Sequence, residues 1–546
     1  MTRRMLSSKT VVALAMMGFT GGVFAIDLPA PDADGRIVLN AASGNYAATA
    51  DVVCTQVVFS ANNISVDLSA GGGKTISIPS TVTSDGFAFS ERYFAASILG
   101  GTWDFGGGAS LKVGSSHHNH AITFSGTKVC NVNGVTIGEG WRNCTLTLSN
   151  GAELDSQSIR IASGSNGGLC NFEILSGSKV TVSEYFIPDE TNAGYGSNIL
   201  TVDGAGSSLS VPTSDVVLGR GLSNDRMTVS NGGVVSLWKL VVGGAKANGD
   251  VATNTVLSVD NSTLSLTGDL LIGNGGSFSN RVQISGASSR LQRVTPTGND
   301  PYFGTGGYNE FHVMGGAVIT NDFTKDAYIG YQSSNNVVRV SDGATIKWLA
   351  DKNVCLGHND ASSHNNSFVV GNGGTNDVFR FNIVGHDNRL VVSNGTFITR
   401  RNNTSSLWVG NPNLGSATPR NNGVVLCGTK PSLKIPGSSG ILRLENESYL
   451  RFELPAAELE TVPVNCGNVS ISDNSAIHVV CDDYLAYLGD ERASVVLVRA
   501  STDLQIDQSL LDAANAELPD RCKLVVDGKD LVLKIRSGLG FILSFR

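Results

Sequence analysis

The stretch MTVSNGGVVSLWKLVVGG, residues 227–244, decides the fold of this 546-residue chain, because variants of it occur on both sides. LTVDGAGSSLSVPTSDVVLGR precedes it at residues 200–220, and VLSVDNSTLSLTGDLLIGNGG follows it at residues 256–276. Each variant has an alternating apolar strand, a turn rich in Gly, Asn or Asp, and a second apolar strand. The sequence therefore predicts a repeat that is built from short strands.

The apolar residue just before the turn, Val229 in this stretch, serves as the anchor of the repeat. The residue numbers of successive anchors differ by 27, 27, 27, 30, 25, 29, 27, 30, 22 and 34. A period of about 27 residues held over so many units indicates a repeat architecture. The anchors are Leu148, Leu175, Val202, Val229, Val259, Ile284, Val313, Val340, Val370, Val392 and Leu426.

Two further signals keep step with the anchors. The first is an apolar residue followed by Gly, at Ile137-Gly138, Leu218-Gly219, Val242-Gly243, Ile272-Gly273, Phe303-Gly304, Ile329-Gly330, Leu356-Gly357 and Val409-Gly410. The second is an Asn four residues before the anchor. Because an amide both donates and accepts hydrogen bonds, these side chains are predicted to form a stacked Asn ladder. Its members are Asn171, Asn198, Asn280, Asn309, Asn336, Asn366, Asn388 and Asn422.

Three repeat folds compete for this period. Leucine-rich repeats of about 20 to 29 residues need a helical return, and propeller blades need about 40 residues or more. The pattern favours an all-β, right-handed parallel β-helix, a solenoid in which Met227 and Val229 face the interior and Thr228 faces out. Weaker anchors at Leu68, Leu99, Phe124, Leu444, Ile471, Val498 and Val526 extend the count to about 17 coils.

Both ends of a β-helix need atypical units that cover the open strand edges. We expect an N-terminal cap at residues 26–66, β-helix repeats at 67–440, and the last coils with a C-terminal cap at 441–546. Within the last region, DLQIDQSLLDAANAELP at 503–519 predicts a helix, and LVVDGKDLVLKI at 524–535 predicts a hairpin turning at Asp527-Gly528.

Residues 1–25 have the composition of a cleaved signal peptide. Arg3, Arg4 and Lys9 flank the apolar run VVALAMMGFTGG, and VFA ends in small residues at Ala25. The sequence thus predicts a secreted or cell-surface protein. No other stretch reaches about 18 apolar residues, so no transmembrane anchor is expected in the mature chain. Removal of three positive charges changes the formal net charge from −8 to −11, which disfavours nucleic-acid binding.

The repeat units resemble the type V secretion/PEP-CTERM-associated repeat proteins and, more broadly, the β-helical passenger regions of autotransporters. The resemblance rests on MTVSNGGVVS, VVRVSDGATIKW and RLVVSNGTFIT, with DLLIGNGG and DAYIGYQ between such phrases, and covers about residues 120 to 430. It implies a secreted right-handed β-helix. It implies no activity, because fold repeats rather than a catalytic motif define that family.

Histidines supply two weak site hypotheses. His118 and His120 alternate in sequence, so two imidazoles on one side of a strand would suit a metal such as Zn²⁺; a polar loop is the competing interpretation. His358 and His386 differ by 28 in residue number, which predicts stacking in neighbouring coils beside Asp360 and Asp387 and suggests proton transfer. Chance repetition of His at one position is the favoured alternative.

Cysteines and cofactors complete the predictions. Cys144 and Cys170 differ by 26 in residue number, so adjacent coils would bring them within reach of a disulfide; two buried thiols are the alternative. No cofactor is predicted, and the nonapeptide spacing of calcium-binding β-rolls does not recur.

The sequence favours an exported structural, adhesive or surface-display protein without catalytic activity. Its partners would be a polysaccharide or a cell-surface protein. The alternative is a polysaccharide lyase or glycoside hydrolase built on the same scaffold, which would require a compact set of charged side chains on consecutive coils.

Overall fold

The computed structural model describes residues 25–69, 72–82, 85–89, 93–114, 118–163, 167–188, 196–221, 223–245, 249–293, 302–321, 326–349, 351–358, 362–400, 406–413, 418–472, 474–481, 483–487 and 492–536. The predicted signal peptide lies outside these ranges, apart from Ala25. The chain is a β-solenoid of about 14 turns with a period near 27 residues. The predicted all-β solenoid and its period are therefore confirmed.

One 18-stranded parallel sheet, called the first sheet below, contains one strand from every pass of the chain. Its strands are Ile26–Asp27, Asn45–Ala47, Ile64–Asp67, Phe94–Leu99, His120–Ser125, Thr145–Ser149, Asn171–Leu175, Ile199–Asp203, Arg226–Ser230, Val256–Asp260, Arg281–Ser285, Glu310–Met314, Val337–Val340, Ser367–Gly371, Arg389–Ser393, Gly423–Cys427, Tyr449–Leu454 and Ala476–Cys481.

The second sheet contains the strands that follow the repeat turn, and it bends between two faces of the coil. Longer strands turn the corner at a register irregularity, as between Val211 and Asp215. Its strands are Val52–Val53, Thr75–Ser77, Thr102–Asp104, Ser110–Val113, Lys128–Val132, Gly134–Ile137, Glu153–Ile161, Lys179–Ile187, Ser208–Arg220, Val234–Gly244, Thr263–Leu266, Leu270–Ile272, Arg290–Arg293, Tyr302–Phe303, Val318–Asn321, Ala327–Ile329, Thr345–Trp348, Asn353–Leu356, Thr375–Val378, Arg380–Ile383, Thr396–Thr399, Leu407–Val409, Ser432–Ile435, Ile441–Leu444, Val464–Ile471, Arg492–Ile506, Cys522–Asp527 and Asp530–Arg536.

The repeat phrase forms a strand that is buried on one side and a tight turn. Met227 and Val229 are buried, whereas Thr228 faces outward, as predicted from the period of two. Asn231 then adopts a left-handed conformation with φ 54°, and Gly232 follows with φ 86°. Because Asn and Gly tolerate this region best, the SNGG sequence sets the corner between the two sheets.

The interior is one continuous apolar core that runs through the stacked coils. Inward residues of equivalent position pair strand by strand, as Val202 with Val229 and Val229 with Val259. Aromatic rings also stack within the core, as Phe303 on Phe311 with ring centroids 5.3 Å apart. Each coil thus buries its apolar face only against its neighbours.

The N-terminal end, where a cap is predicted, contains short strands and a small additional sheet. Residues 26–66 contain three short strands of the first sheet, which continue the same stack, with Tyr46 opposite Val66 and Val66 opposite Ile98. A small third sheet of Arg36–Leu39, Gln56–Phe59 and Phe87–Phe89 covers one side. The repeat phrase is missing here because these coils are short and irregular, although they pair like the later ones.

The predicted count of about 17 coils is wrong at the C-terminal end, because its anchors there lie on strands of the second sheet. Leu444 and Ile471 pair with each other in the second sheet, whereas the first sheet continues through Phe452 and Val479. Both sheets repeat with the same period, so spacing alone does not separate them. The fourteen strands from His120–Ser125 to Ala476–Cys481 form the regular part.

The terminal elements include the predicted helix and hairpin. The helix is Gln508–Ala516, with Leu510, Leu511 and Ala514 buried, and it is shorter than predicted because residues 503–506 extend the strand Arg492–Ile506. The strands Cys522–Asp527 and Asp530–Arg536 pair antiparallel around Gly528. Short 3-10 helices occupy Asn274–Gly276 and Tyr484–Tyr487.

Candidate functional site

A column of buried side chains precedes the strands of the first sheet, and we call it the ladder. Asn280, Asn309, Asn336 and Asn366 join amide to amide within it. The Nδ2 atom of each donates to the Oδ1 atom of the next, at 2.9, 3.1 and 2.9 Å. The members that occupy equivalent positions from Cys144 onward are Cys144, Cys170, Asn198, Asp225, Thr255, Asn280, Asn309, Asn336, Asn366, Asn388, Asn422, Ser448 and Ser475.

The ladder amides also hold the backbone between coils. The backbone N–H of Asn366 donates to Oδ1 of Asn388 at 2.7 Å, and that of Asn388 donates to Oδ1 of Asn422 at 3.0 Å. At the other end, the N–H of Cys170 donates to Oδ1 of Asn198 at 3.1 Å. Buried polar groups need such partners, so the ladder satisfies backbone donors at the corner that precedes the strands of the first sheet.

Asn171 does not belong to the ladder. It lies on the strand Asn171–Leu175, half-buried, and pairs with Thr145 and Ile199. The inward anchor of this coil is Ile174 rather than Leu175, so the ladder position four residues earlier is Cys170. The predicted ladder position was wrong by one residue, because Ile174 and Leu175 are both apolar and either could be the anchor.

The glycine of an apolar-Gly pair lies directly against a ladder side chain of a later coil. A Cβ atom on Gly330, which has φ +76°, would lie 2.3 Å from the amide of Asn366. Gly243 and Asn280 are related in the same way, also at 2.3 Å. The glycine therefore provides both the left-handed turn and the space for the amide.

His118 and His120 do not form a pair of metal ligands. His120 is buried against Phe89 and Phe94, with ring centroids 5.2 and 6.0 Å away. His118 is exposed, and its Nδ1 accepts a hydrogen bond from the backbone N–H of Arg142 at 3.0 Å. Asn119 between them has φ +62°, so strand alternation does not apply and the two imidazoles diverge.

His358 and His386 occupy different places in the register. His386 bridges to His364 in the preceding coil, and the ring of His358 packs on Tyr331 with centroids 4.4 Å apart. The residue-number difference of 28 between the two histidines did not predict their pairing, because the difference in residue number between paired residues varies from coil to coil. It is 27 between Leu356 and Ile383 and 22 between His364 and His386.

The two carboxylates of that hypothesis have separate positions. Asp360 lies outside the described residues. Asp387 is exposed with φ +55°, and its Oδ1 accepts a hydrogen bond from Nδ2 of Asn421 at 2.5 Å. Asp387 therefore belongs to the exposed turn before the ladder.

Cys144 and Cys170 are free, buried thiols in adjacent coils. The thiol of Cys144 donates to the carbonyl of Arg142 at 3.6 Å, and that of Cys170 donates to the carbonyl of Gly168 at 3.3 Å. Their mutual hydrogen bond, together with burial, raises the pKa of Cys144 above its ordinary value. The predicted disulfide is absent, and the alternative of two buried thiols describes this pair.

Two features are absent from the part of the chain that the structure describes. Within those ranges, no group of three or more His, Cys, Asp or Glu side chains is arranged to hold a metal ion. The same ranges contain no helix that is both long and apolar enough to span a membrane.

The outer face of the first sheet carries a groove that we call the Tyr449 groove. It crosses four consecutive strands and has a cavity volume of about 620 Å³, within the range of small-ligand pockets, about 300–1,000 Å³. Its lining is polar and includes two guanidinium groups. The lining residues are Arg389, Val391, Asn421, Val425, Tyr449, Arg451, Glu453 and His478.

The register shows how this groove is built. Arg389, Gly423 and Tyr449 stand opposite one another on successive strands, in one outward column. The Tyr449 ring lies over Gly423, because a Cβ atom there would be 2.1 Å from its Cζ atom. Gly423 therefore leaves the space that the ring occupies, and the phenol extends toward the strand of Arg389.

Some of the basic side chains around the Tyr449 ring contact a carboxylate, and within the described ranges Arg389 does not. Nε of Arg451 contacts Oε1 of Glu453 at 2.8 Å, and Nδ1 of His478 lies 2.9 Å from Oε2 of Glu517. Arg389 is exposed and, among the described residues, has no hydrogen bond or ion pair from its side chain. Burial raises the pKa of the Tyr449 phenol, although Arg389 and Arg451 oppose the shift. The phenol is thus protonated at neutral pH and acts as a hydrogen-bond donor.

Of two further grooves, the first crosses strands of the first sheet, and the second lies at the turns that precede its strands His120–Ser125 and Thr145–Ser149. One, of about 670 Å³, includes Tyr308, Arg226 and Arg281, and the other, of about 500 Å³, includes Trp141 and Arg142. From the coil of Trp141 to that of Tyr308 there are six strand steps, and five more lead to Tyr449. At about 4.8 Å per step, the aromatic residues are roughly 29 and 24 Å apart along the axis.

No protein-family model, curated protein or solved structure matches this chain. The groove residues were missed by the sequence analysis, because they are outward residues of four strands that are distant in sequence. An alignment of the outward positions three residues and one residue before the inward anchors would have brought Arg389, Tyr449 and Arg451 together.

Proposed function

We propose that this chain is an exported structural and adhesive β-solenoid that binds a polysaccharide along the outer face of its first sheet. One observation carries the proposal: three grooves, two on the first sheet and one at the turns that precede its strands, each combine an aromatic ring with arginine. Aromatic rings stack on the apolar faces of sugars, and arginine donates several hydrogen bonds in a fixed geometry.

A binding role agrees better with the local chemistry than a catalytic one. In the Tyr449 groove, Glu453 is engaged by Arg451 and His478 by Glu517. A general base needs a pKa near the working pH, whereas burial moves the pKa of Tyr449 upward, away from neutrality. These groups are therefore suited to holding a ligand. The lyase or hydrolase remains the alternative outcome of the test.

Binding and cleavage are tested together with the purified protein and a panel of acidic and neutral polysaccharides. Pull-down by insoluble polymers measures binding, while new reducing ends and unsaturated products measure cleavage. We expect binding without products. Products that disappear in a His358→Ala, His386→Ala double variant would instead assign an enzyme to the His358 region. Absence of both binding and cleavage would refute the adhesive role.

Export is a separate part of the proposal. The charged and apolar segments of residues 1–25, and the resemblance to type V secretion/PEP-CTERM-associated repeat proteins, support a secreted or cell-surface location. Mass spectrometry of the protein from its native cells should give Ile26 as the first residue and recover the chain outside the cytoplasm. An intact Met1 on cytoplasmic protein would contradict export.

A further inference from the structure

We infer that the Tyr449 groove is a subsite for a carboxylated sugar residue, so that the polysaccharide bound by this chain is acidic. This inference rests on the proposed binding function and adds the class of ligand and the residues that select it. The first argument is charge. Arg389 presents an exposed guanidinium group whose side chain has no partner among the described residues. A planar carboxylate is the ligand that matches it bidentately.

The second argument is the position of the ring. Tyr449 is held over Gly423 in the same outward column as Arg389, two strand steps away. Because the ring lies over Gly423, it is one strand step, about 5 Å, from the strand of Arg389. A pyranose lying on the Tyr449 ring would therefore direct a carboxylate substituent toward Arg389, while the phenol donates to a hydroxyl or carboxylate oxygen.

The third argument is selectivity within an acidic protein. The whole chain has a formal net charge of −8, so a polyanion is repelled by the molecule as a whole. Arg451 pairs with Glu453 and His478 contacts Glu517, whereas Arg389 is the lining guanidinium that has no ion pair among the described residues; the exposed Asp387 is a further negative charge beside the Tyr449 phenol. Recognition of an acidic polymer here must then depend on local contacts rather than on a general positive surface.

The test uses the full protein and two matched ligands, an oligogalacturonate and the same oligomer with its carboxyl groups reduced. Binding is measured by calorimetry at low and moderate salt. Arg389→Gln removes the charge and keeps the length of the side chain. Gly423→Ala displaces the Tyr449 ring while keeping every charge. Arg339→Gln is the control, because Arg339 is exposed on the same sheet, outside the lining of the groove.

We expect the oligogalacturonate to bind at least tenfold more tightly than the reduced oligomer. Arg389→Gln should weaken its binding about tenfold or more, as for loss of a charge-assisted hydrogen bond. Gly423→Ala should weaken both ligands, and Arg339→Gln should change affinity less than about twofold. Circular dichroism of each variant verifies that the fold is retained.

Other results would overturn the inference in distinguishable ways. Equal affinity for both oligomers would remove the carboxylate preference and leave polysaccharide binding intact. Equal losses in Arg389→Gln and Arg339→Gln would indicate a diffuse electrostatic effect. Tight binding that neither Arg389→Gln nor Gly423→Ala changes would locate the ligand elsewhere on the rod. No binding to any polysaccharide would refute the proposed function itself.

Discussion

The ladder changes its chemistry along the rod. In the middle coils, Asn280 to Asn366 link side chain to side chain across every coil boundary. Near the N-terminal end, Cys144 and Cys170 fill the same position, and their thiols donate to carbonyls of nearby turns. The backbone turn is therefore not dependent on an amide. The difference between the two regions indicates that the amides connect the coils through a continuous series of hydrogen bonds, whereas the two thiols make weaker contacts between adjacent coils.

The variant with the largest expected effect on stability is Asn336→Ala. Oδ1 of Asn336 accepts from both the backbone N–H and Nδ2 of Asn309, and its own Nδ2 donates to Asn366. Leaving buried partners unsatisfied should cost about 4 kcal/mol in the free energy of unfolding. Chemical denaturation followed by circular dichroism measures the loss, and hydrogen exchange should localise it to the coils on either side.

Asn171→Ala is the matched control for that variant. Asn171 lies outward on its strand, so its replacement should change stability by less than about 0.5 kcal/mol. If both Asn variants destabilise the protein equally, the ladder amides have no special role.

Glycine substitutions test the ladder in a second way, because an added Cβ atom crowds a ladder amide without removing the amide. Gly330→Ala places a Cβ atom against the Asn366 amide, whereas Gly343 has nearly the same φ, +75°, and nothing within 4 Å of the position that a Cβ atom would take. Gly343→Ala should cost about 1 kcal/mol for backbone strain, and Gly330→Ala about 3 kcal/mol. Thermal melts of the two variants measure the difference, and equal costs would argue against the glycine–amide contact.

Thiols introduce a pH dependence that amides do not have. Burial raises the pKa of Cys54, in the N-terminal coils, to about 11 from 9.0. Because the unfolded chain loses this proton first, the contribution to stability is full below pH 9 and is lost as the pH rises toward 11. At pH 10 the loss should be about 1 kcal/mol. Cys54→Ala should reduce the fall in melting temperature between pH 8 and 10; an unchanged fall would contradict a buried thiol.

The smallest expected effect comes from extending the ladder by one amide. Cys170 occupies the ladder position, and Gly138 leaves the same space beside it that Gly243 leaves beside Asn280. Cys170→Asn should therefore change stability by less than about 1 kcal/mol. A loss above about 3 kcal/mol in a melting experiment would mean that the thiol coils have a different shape from the amide coils.

The fold was readable from sequence because its determinants are local and periodic. Val229 and its equivalents mark the inward strand, and the Asn and apolar-Gly signals mark the corner. The prediction failed where two adjacent residues are both apolar, as at Ile174 and Leu175, and where both sheets share the period, as at Leu444. Periodicity identifies a repeat without saying which face a given strand joins.

The candidate site was much less predictable. The predicted histidine pairs assumed regular alternation or a constant period, and Asn119 with its left-handed backbone is enough to break the first assumption. The Tyr449 groove depends on coils of unequal length, which bring Arg389, Gly423 and Tyr449 into one column. Such a column is a property of the pairing register, and no short segment of the sequence contains it.

The contact between each apolar-Gly turn and the ladder residue of a later coil also sets rules for how the rod changes length. Gly330 and Asn366 belong to different repeats, so loss of part of a repeat would leave one of them facing the wrong partner. Gain or loss of one complete repeat preserves every such pair, because each glycine then meets the amide of the next copy. Whole-repeat duplication is thus the tolerated route by which this rod can lengthen or shorten.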